Sequence, residues 1–196
     1  MKKTWIIIAV IVILLIIIYS AIKGTYNGMV TKGEDVNAQW GNVENVYQRR
    51  ADLIPNLVNT VKGYATHERE TLTGVIEARA KATSVTLKAE DLNSANLQKF
   101  QEAQSGLSSA LAKLMVVVER YPDLKANQNF LELQAQLEGT ENRIAVERRK
   151  FNEVARDYNV FIKSFPKNIF AGMFGFESKP YFEAEKGSDK APKVEF

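Results

Sequence analysis

The stretch FLELQAQLEGTENRIAVERRKFNEVARDYNVFIKSFP, residues 130–166, decides the fold of this chain. Phe130, Leu137, Ile144, Phe151, Tyr158 and Phe165 recur every seven residues without a miss. An apolar heptad keeps one stripe on one side of a helix, at the spacing by which helices interlock as knobs into holes. The companion positions hold Gln134, Glu141, Arg148, Ala155 and Ile162, with Leu133 beside the first, so charge stands where leucine is usual. Pro166 ends the pattern, because the residue before a proline is pushed out of the helical region.

A matching seam lies upstream: Val36, Trp40, Val43, Tyr47, Arg50, Ile54, Leu57, Val61 and Tyr64, alternating four and three. Within it, RRADLIPNLV (residues 49–58) carries Arg49, Arg50, Asp52 and Pro55 in an otherwise apolar helix. Pro55 has no N–H, so the Ala51 carbonyl loses its helical donor and the helix should bend. Arg49 or a water could satisfy that carbonyl. Facing helices would let Arg50 meet Glu141, with Asp52 or Glu44 available to Arg148. Two readings of this charge stay open: paired burial, whose best-attested use is fixing register, or stems packed inside with heads at the bundle edge.

Gly63 and Thr66 suggest a break, after which residues 67–84 place Leu72, Val75, Ile76 and Ala80 on one face. That second helix either stands alone or continues the first through a kink. The connector TLKAEDLNSAN follows, with Asp91, Asn93 and Ser94 as candidate N-caps. A third helix has the seam Leu97, Phe100, Gln104, Leu107, Leu111, Leu114, Val118 and Tyr121, and should stop at Pro122. Strand-like alternation never runs more than a few residues. The expected fold is all-α: four helices with short connections, an antiparallel bundle.

Before the bundle, Lys2 and Lys3 are followed by 19 uncharged, mostly apolar residues ending at Lys23. As a helix that run crosses a hydrocarbon core of roughly 30 Å. A cleaved signal peptide also starts basic and apolar, but this run is long and no A-x-A-like site follows it. The reading is an uncleaved single-pass anchor in the lipid bilayer. Lys2 and Lys3 bias the N-terminus slightly toward the cytoplasm, leaving the bulk extracytoplasmic.

Beyond Pro166, Ile169, Phe170, Met173, Phe174, Phe176, Tyr181 and Phe182 crowd a short segment in which Gly172 and Gly175 should keep a regular helix from persisting. So much aromatic surface needs cover. It either folds back on the bundle or contacts another subunit or the lipid surface. The expected organisation is an anchor at 1–23, a bundle at 24–166, an aromatic segment at 167–186 and a disordered tail at 187–196.

Little here looks like chemistry. The chain has no cysteine and one histidine, His67, at an expected helix start. A structural zinc site needs about four Cys or His ligands, and a bundle di-iron site needs Glu-x-x-His pairs on two helices. Neither set exists, nor does a glycine-rich phosphate loop or a nucleophile elbow. Net charge is +3 from 26 basic and 23 acidic residues, interspersed without a basic stripe bearing aromatics, which argues against nucleic acid. The expectation is a non-enzyme without cofactor or metal.

The stretches RRADLIPNLVNTVKGYATHE, EARAKA, residues 116–166 and FGFESKPYFE resemble the signature blocks of the LemA family, from about Tyr26 to Glu183. The resemblance implies an anchored antiparallel four-helix bundle in a mirror variant of up-and-down topology, in a bacterial inner (cytoplasmic) membrane protein without a defined catalytic activity. It implies encoding near MoxR-type AAA+ ATPases or small envelope proteins, hence a partner of that kind. Its most characteristic positions fall on Arg49, Arg50, Asp52, Pro55, Tyr121, Pro122, Glu141, Asn142, Arg143, Arg149 and Asn159. The resulting expectation is a scaffold or interaction module that self-assembles into homo-oligomers. Its interaction candidates are Arg49, Arg50, Asp52, Pro55, Glu141, Arg148, Phe174, Phe176, Tyr181 and Phe182. The rivals are a sensor or adaptor bundle acting with a partner and an envelope hydrolase.

Overall fold

A computed structural model describes residues 2–183, and among these residues every regular element is helical. The expected tail at 187–196, with residues 184–186 of the aromatic segment, lies outside the described residues. Helix α1 spans Lys2–Tyr64 without interruption, so the anchor and the first bundle helix are one rod of about 95 Å at 1.5 Å per residue. Its N-terminal portion from Trp5 to Tyr19 is exposed on all sides, while Val36 to Val61 supply buried seam residues. Pro55 sits on the exposed side of the rod.

The chain breaks at residues 65–68 and α2 runs Arg69–Ser84, so the first two helices are separate. Leu72, Val75 and Ala82 are the buried face of α2. Ile76 and Ala80, expected on that face, point outward, because each lies one residue or two off the 72–75–82 line. After a 3-10 turn at Ala89–Asp91, α3 spans Ser94–Val118, capped by Asn93, whose side chain accepts from the Asn96 N–H at 2.9 Å. It ends before Tyr121, and Pro122 instead opens the four-residue α4, Pro122–Lys125, where a missing N–H costs nothing. Helix α5 spans Gln128–Lys163 under an Asn127 cap that accepts from the Phe130 N–H at 3.1 Å. Last, α6 covers Lys167–Phe174 and ends at Gly175, whose φ of 75° is a conformation glycine adopts without strain. Gly172 therefore does not prevent a helix; only Gly175 stops it.

Cross-helix bonds give the directions. Gln39 pairs with Glu147, Arg50 with Glu141, and Asn127 with Tyr64, so α1 and α5 run antiparallel along their whole contact. Near the anchor Gly28 lets them close in: a Cβ there would stand 2.6 Å from the Phe161 ring. Helix α2 packs on both α1 and α3.

The core is in two parts. Next to the anchor, Val36, Trp40, Val43, Tyr47, Phe100, Ile144, Phe151, Tyr158 and Phe182 form one cluster. Ile54, Leu57, Val61, Leu107, Leu114, Leu124, Phe130 and Leu137 form the other at the distal end. Trp40 packs among Phe100, Phe151 and Phe182 and donates its indole N–H to the Leu87 carbonyl at 2.6 Å.

Candidate functional site

On α1 the step between the two clusters is Tyr47 to Ile54, and Arg50 stands between them. On α3 the same level holds Gln104, between Phe100 and Leu107; on α5 it holds Glu141, between Leu137 and Ile144. Seam periodicity thus carries one polar residue from each of three helices to a single layer. Arg50 is only 2% exposed. One terminal nitrogen donates to the Glu141 carboxylate at 2.7 Å and the Ser108 hydroxyl at 3.0 Å. The other donates to the Gln104 side-chain oxygen at 2.6 Å and its backbone carbonyl at 3.3 Å. Gln104 passes the chain on, donating to the Ala82 carbonyl of α2 at 3.2 Å. Of the three guanidinium nitrogens of Arg50, only Nε lacks a partner among the described residues.

The guanidinium also lies 5.1 Å from the Tyr47 ring, and burial raises the pKa of that phenol above its ordinary value. The Glu141 side chain is 45% exposed, so the pair is half solvated and its Coulomb attraction is screened accordingly. It opens into a groove of about 630 Å³ between α3 and α5, with Gln98, Gln101, Ser105 and Arg148 along its walls.

Beside this layer lies the Pro55 site. The Ala51 carbonyl, four residues before the proline, accepts from the Arg79 Nε at 2.7 Å. The donor comes from α2, not from Arg49, which is exposed. A proline in α1 and an arginine in α2 are thus two halves of one contact. Asp52 is two residues from Arg50, about 200° round the helix, so it turns away from the core and accepts from Gln48 at 2.8 Å. It does not meet Arg148, nor does the exposed Glu44. Instead Arg148 donates to the Glu183 carbonyl at 2.9 Å and lies 4.8 Å over the Phe182 ring.

That contact belongs to a second assembly, the strapped C-terminal segment. Asn159 donates to the Lys179 carbonyl and accepts from the Lys179 N–H, both at 2.8 Å. Asn152 repeats the pair with Phe182 at 2.9 and 2.8 Å. Each side-chain amide imitates the edge of a strand. Seven helical residues rise about 10.5 Å, and three extended residues span about 10 Å, so the two asparagines match the tail's repeat. Phe182 is driven into the core, 6% exposed and stacked at 6.0 Å on Trp40. Tyr181 stays at the surface, its hydroxyl accepting from Asn159 at 3.0 Å. Phe174 and Phe176 set their rings edge-on to Tyr26 of α1, at 5.1 and 5.6 Å. The described aromatic segment therefore packs in cis, except for part of α6. Phe165, placed in the seam by its heptad position, is 82% exposed because α5 has ended two residues earlier.

Asn152 and Arg79 were not singled out by sequence. A heptad pair of asparagines beside the Phe151 and Tyr158 stripe was the available signal for the first. Nothing local announces Arg79, since its partner is a backbone atom of another helix.

The family model described as the LemA family matches residues 39–196. Magnetosome protein MamQ 1 of Paramagnetospirillum magneticum is 29% identical over 182 residues, covering 84% of this chain and 66% of the relative. Magnetosome protein MamQ of Magnetospirillum gryphiswaldense is 28% identical over 200 residues, covering 93% of this chain and 73% of its own length. Protein LemA of Metamycoplasma hominis is 22% identical over 170 residues, at 87% and 74%. The chain spans about two thirds of the length of the first of these relatives.

Proposed function

This chain belongs to the LemA family, and from that premise we propose that it is a non-enzymatic, membrane-anchored helical scaffold of the bacterial cell envelope that self-assembles. The single observation that carries the reading is the unbroken α1, Lys2–Tyr64, apolar and exposed at one end and keyed into a bundle at the other. A continuous helix has no flexible hinge between anchor and bundle, so the bundle is held at a set angle to the axis of the spanning helix. That is a geometry from which anchored copies can build a symmetric array. The buried polar groups support a structural role, since the Arg50 terminal nitrogens are engaged by Glu141, Ser108 and Gln104, and Gln104 in turn by the Ala82 carbonyl. A partner of the MoxR-type ATPase class, or a small envelope protein, is compatible with the same rigid display, as is an extracytoplasmic adaptor role. The extracytoplasmic placement of the bundle in this reading rests on a slight charge bias, Lys2, Lys3 and the terminal amino group against Lys23 and Lys32, the latter offset by Glu34 and Asp35.

Cross-linking in native membranes, followed by sizing in gentle detergent, tests the assembly. Discrete species above the monomer are expected. A monomer at every protein concentration, in membranes and in detergent, refutes self-assembly.

A further inference from the structure

The exposed apolar side chains near the end of α5 and on α6 are not scattered. Phe165 is 82% exposed, Ile169 53% and Met173 71%; Ile169 and Met173 stand four residues apart on one face of α6, and Phe165 lies two residues ahead of that helix. The opposite face of α6 is occupied: Ala171 is buried and Phe170 packs on the anchor-proximal core. Position along the bundle gives the open face its meaning. Gly28 of α1 lies against Phe161 of α5, and the two helices are antiparallel. That register brings Lys163, the last residue of α5, level with Tyr26, three residues past Lys23, where the uncharged run of α1 ends. Phe174 of α6 sets its ring against the same Tyr26. The open face of α6 is therefore continuous with the exposed apolar surface of α1. Lys163 and Lys167 stand within about 7.5 Å of Lys23 along the axis of α1, with the Lys167 ammonium 3.8 Å from the Phe161 ring.

We propose that α6 is an interfacial helix, with Phe165, Ile169 and Met173 seated at the headgroup–acyl boundary of the bilayer that α1 crosses. The occupant is the lipid surface, because the face adjoins the anchor and is rimmed by cations suited to anionic headgroups. Seating α6 in the interface gives the bundle a second membrane contact beside α1, which resists tilt and rotation about the anchor. The proposal rests on the anchor reading of α1.

The chain has no cysteine, so single-cysteine labels are unique. A polarity-sensitive fluorophore is placed on the full-length chain at Met173→Cys, Ile13→Cys or Val116→Cys, one copy per nanodisc of phosphatidylcholine with a minority of phosphatidylglycerol. Quenchers are lipids spin-labelled at an upper or a deep acyl carbon. Val116 matches Met173 in exposure at 71%, but by the offset of α3 against α1 it stands roughly 55–60 Å beyond Lys23. The Met173 label is expected to emit to the blue and to lose emission chiefly to the upper-chain quencher. The Ile13 label should lose emission to the deep-chain quencher, and the Val116 label to neither. If Ile13 is quenched and Met173 is not, the placement of α6 is overturned alone. If neither is quenched, the anchor reading falls with it. Blue-shifted Met173 emission without lipid quenching, or quenching equal to that at Val116, also overturns the proposal, the former by assigning the face to protein.

Discussion

Pro55 and Arg79 make the sharpest quantitative test. Proline at position 55 removes the donor that the Ala51 carbonyl needs, and Arg79 supplies it at 2.7 Å from another helix. Ala51 is buried, so Arg79→Met leaves a carbonyl that water reaches poorly. An unmade bond of this kind costs about 1–3 kcal/mol. Because Arg79 is partly exposed, the lower part of that range applies, about 1–2 kcal/mol. In a Pro55→Ala background the picture reverses, since the substituted position regains a backbone N–H aimed at the Ala51 carbonyl. Arg79→Met should then cost less than about 0.5 kcal/mol, the level of an ordinary surface substitution. The four proteins form a double-mutant cycle with a coupling of about 0.5–2 kcal/mol, independent of the helix propensity gained by removing proline. Denaturant unfolding in detergent measures it, followed by the fluorescence of buried Trp40 in a Trp5→Phe background. Additive costs refute the argument, because they mean that the two residues do not share one carbonyl.

Three further outcomes follow from the same geometry. Arg50→Ala should destabilise by about 3–4 kcal/mol, leaving a cavity and an unpaired Gln104, while Arg50→Met, which keeps volume, loses less, and Arg50→Met with Gln104→Leu recovers most of the rest; equal losses for the alanine and methionine variants in denaturant titrations contradict this. Asn152→Ala removes two hydrogen bonds and Asn159→Ala three, and each should free the segment near Lys179–Phe182, about 1–3 kcal/mol each, read as faster amide exchange at Lys179 and Phe182 with α1–α3 protection unchanged. Burial raises the Tyr47 pKa in the folded chain, so its share of stability is complete below the ordinary tyrosine pKa of about 10 and is lost as pH rises through the raised value. The melting temperature should fall as pH rises from about 10 toward the raised value, and Tyr47→Phe should blunt the fall; an unchanged alkaline slope in the variant counts against it.

The heptads at 130–165 and 36–64 determined by themselves that the chain is helical, where its long helices lie, and that Arg50 and Glu141 each occupy a seam position. Those are local matters: period, capping and proline placement act within a few residues, so Pro166 could be read directly and Asn93 stood among the three cap candidates. The uncharged run before Lys23 announced an anchor by length alone. Register between helices and the path of the tail are different in kind. Arg148 reaches Glu183 instead of Asp52, and Arg79 rather than Arg49 completes the Pro55 site, because each choice depends on which helix faces which at a given height. Continuity of the anchor with the bundle helix, the separation of α1 from α2, and the exposure of Phe165 at the end of a perfect heptad also belong to the tertiary structure. A heptad says which side of a helix is apolar. Whether another element arrives to cover that side is decided by packing across residues far apart in the chain.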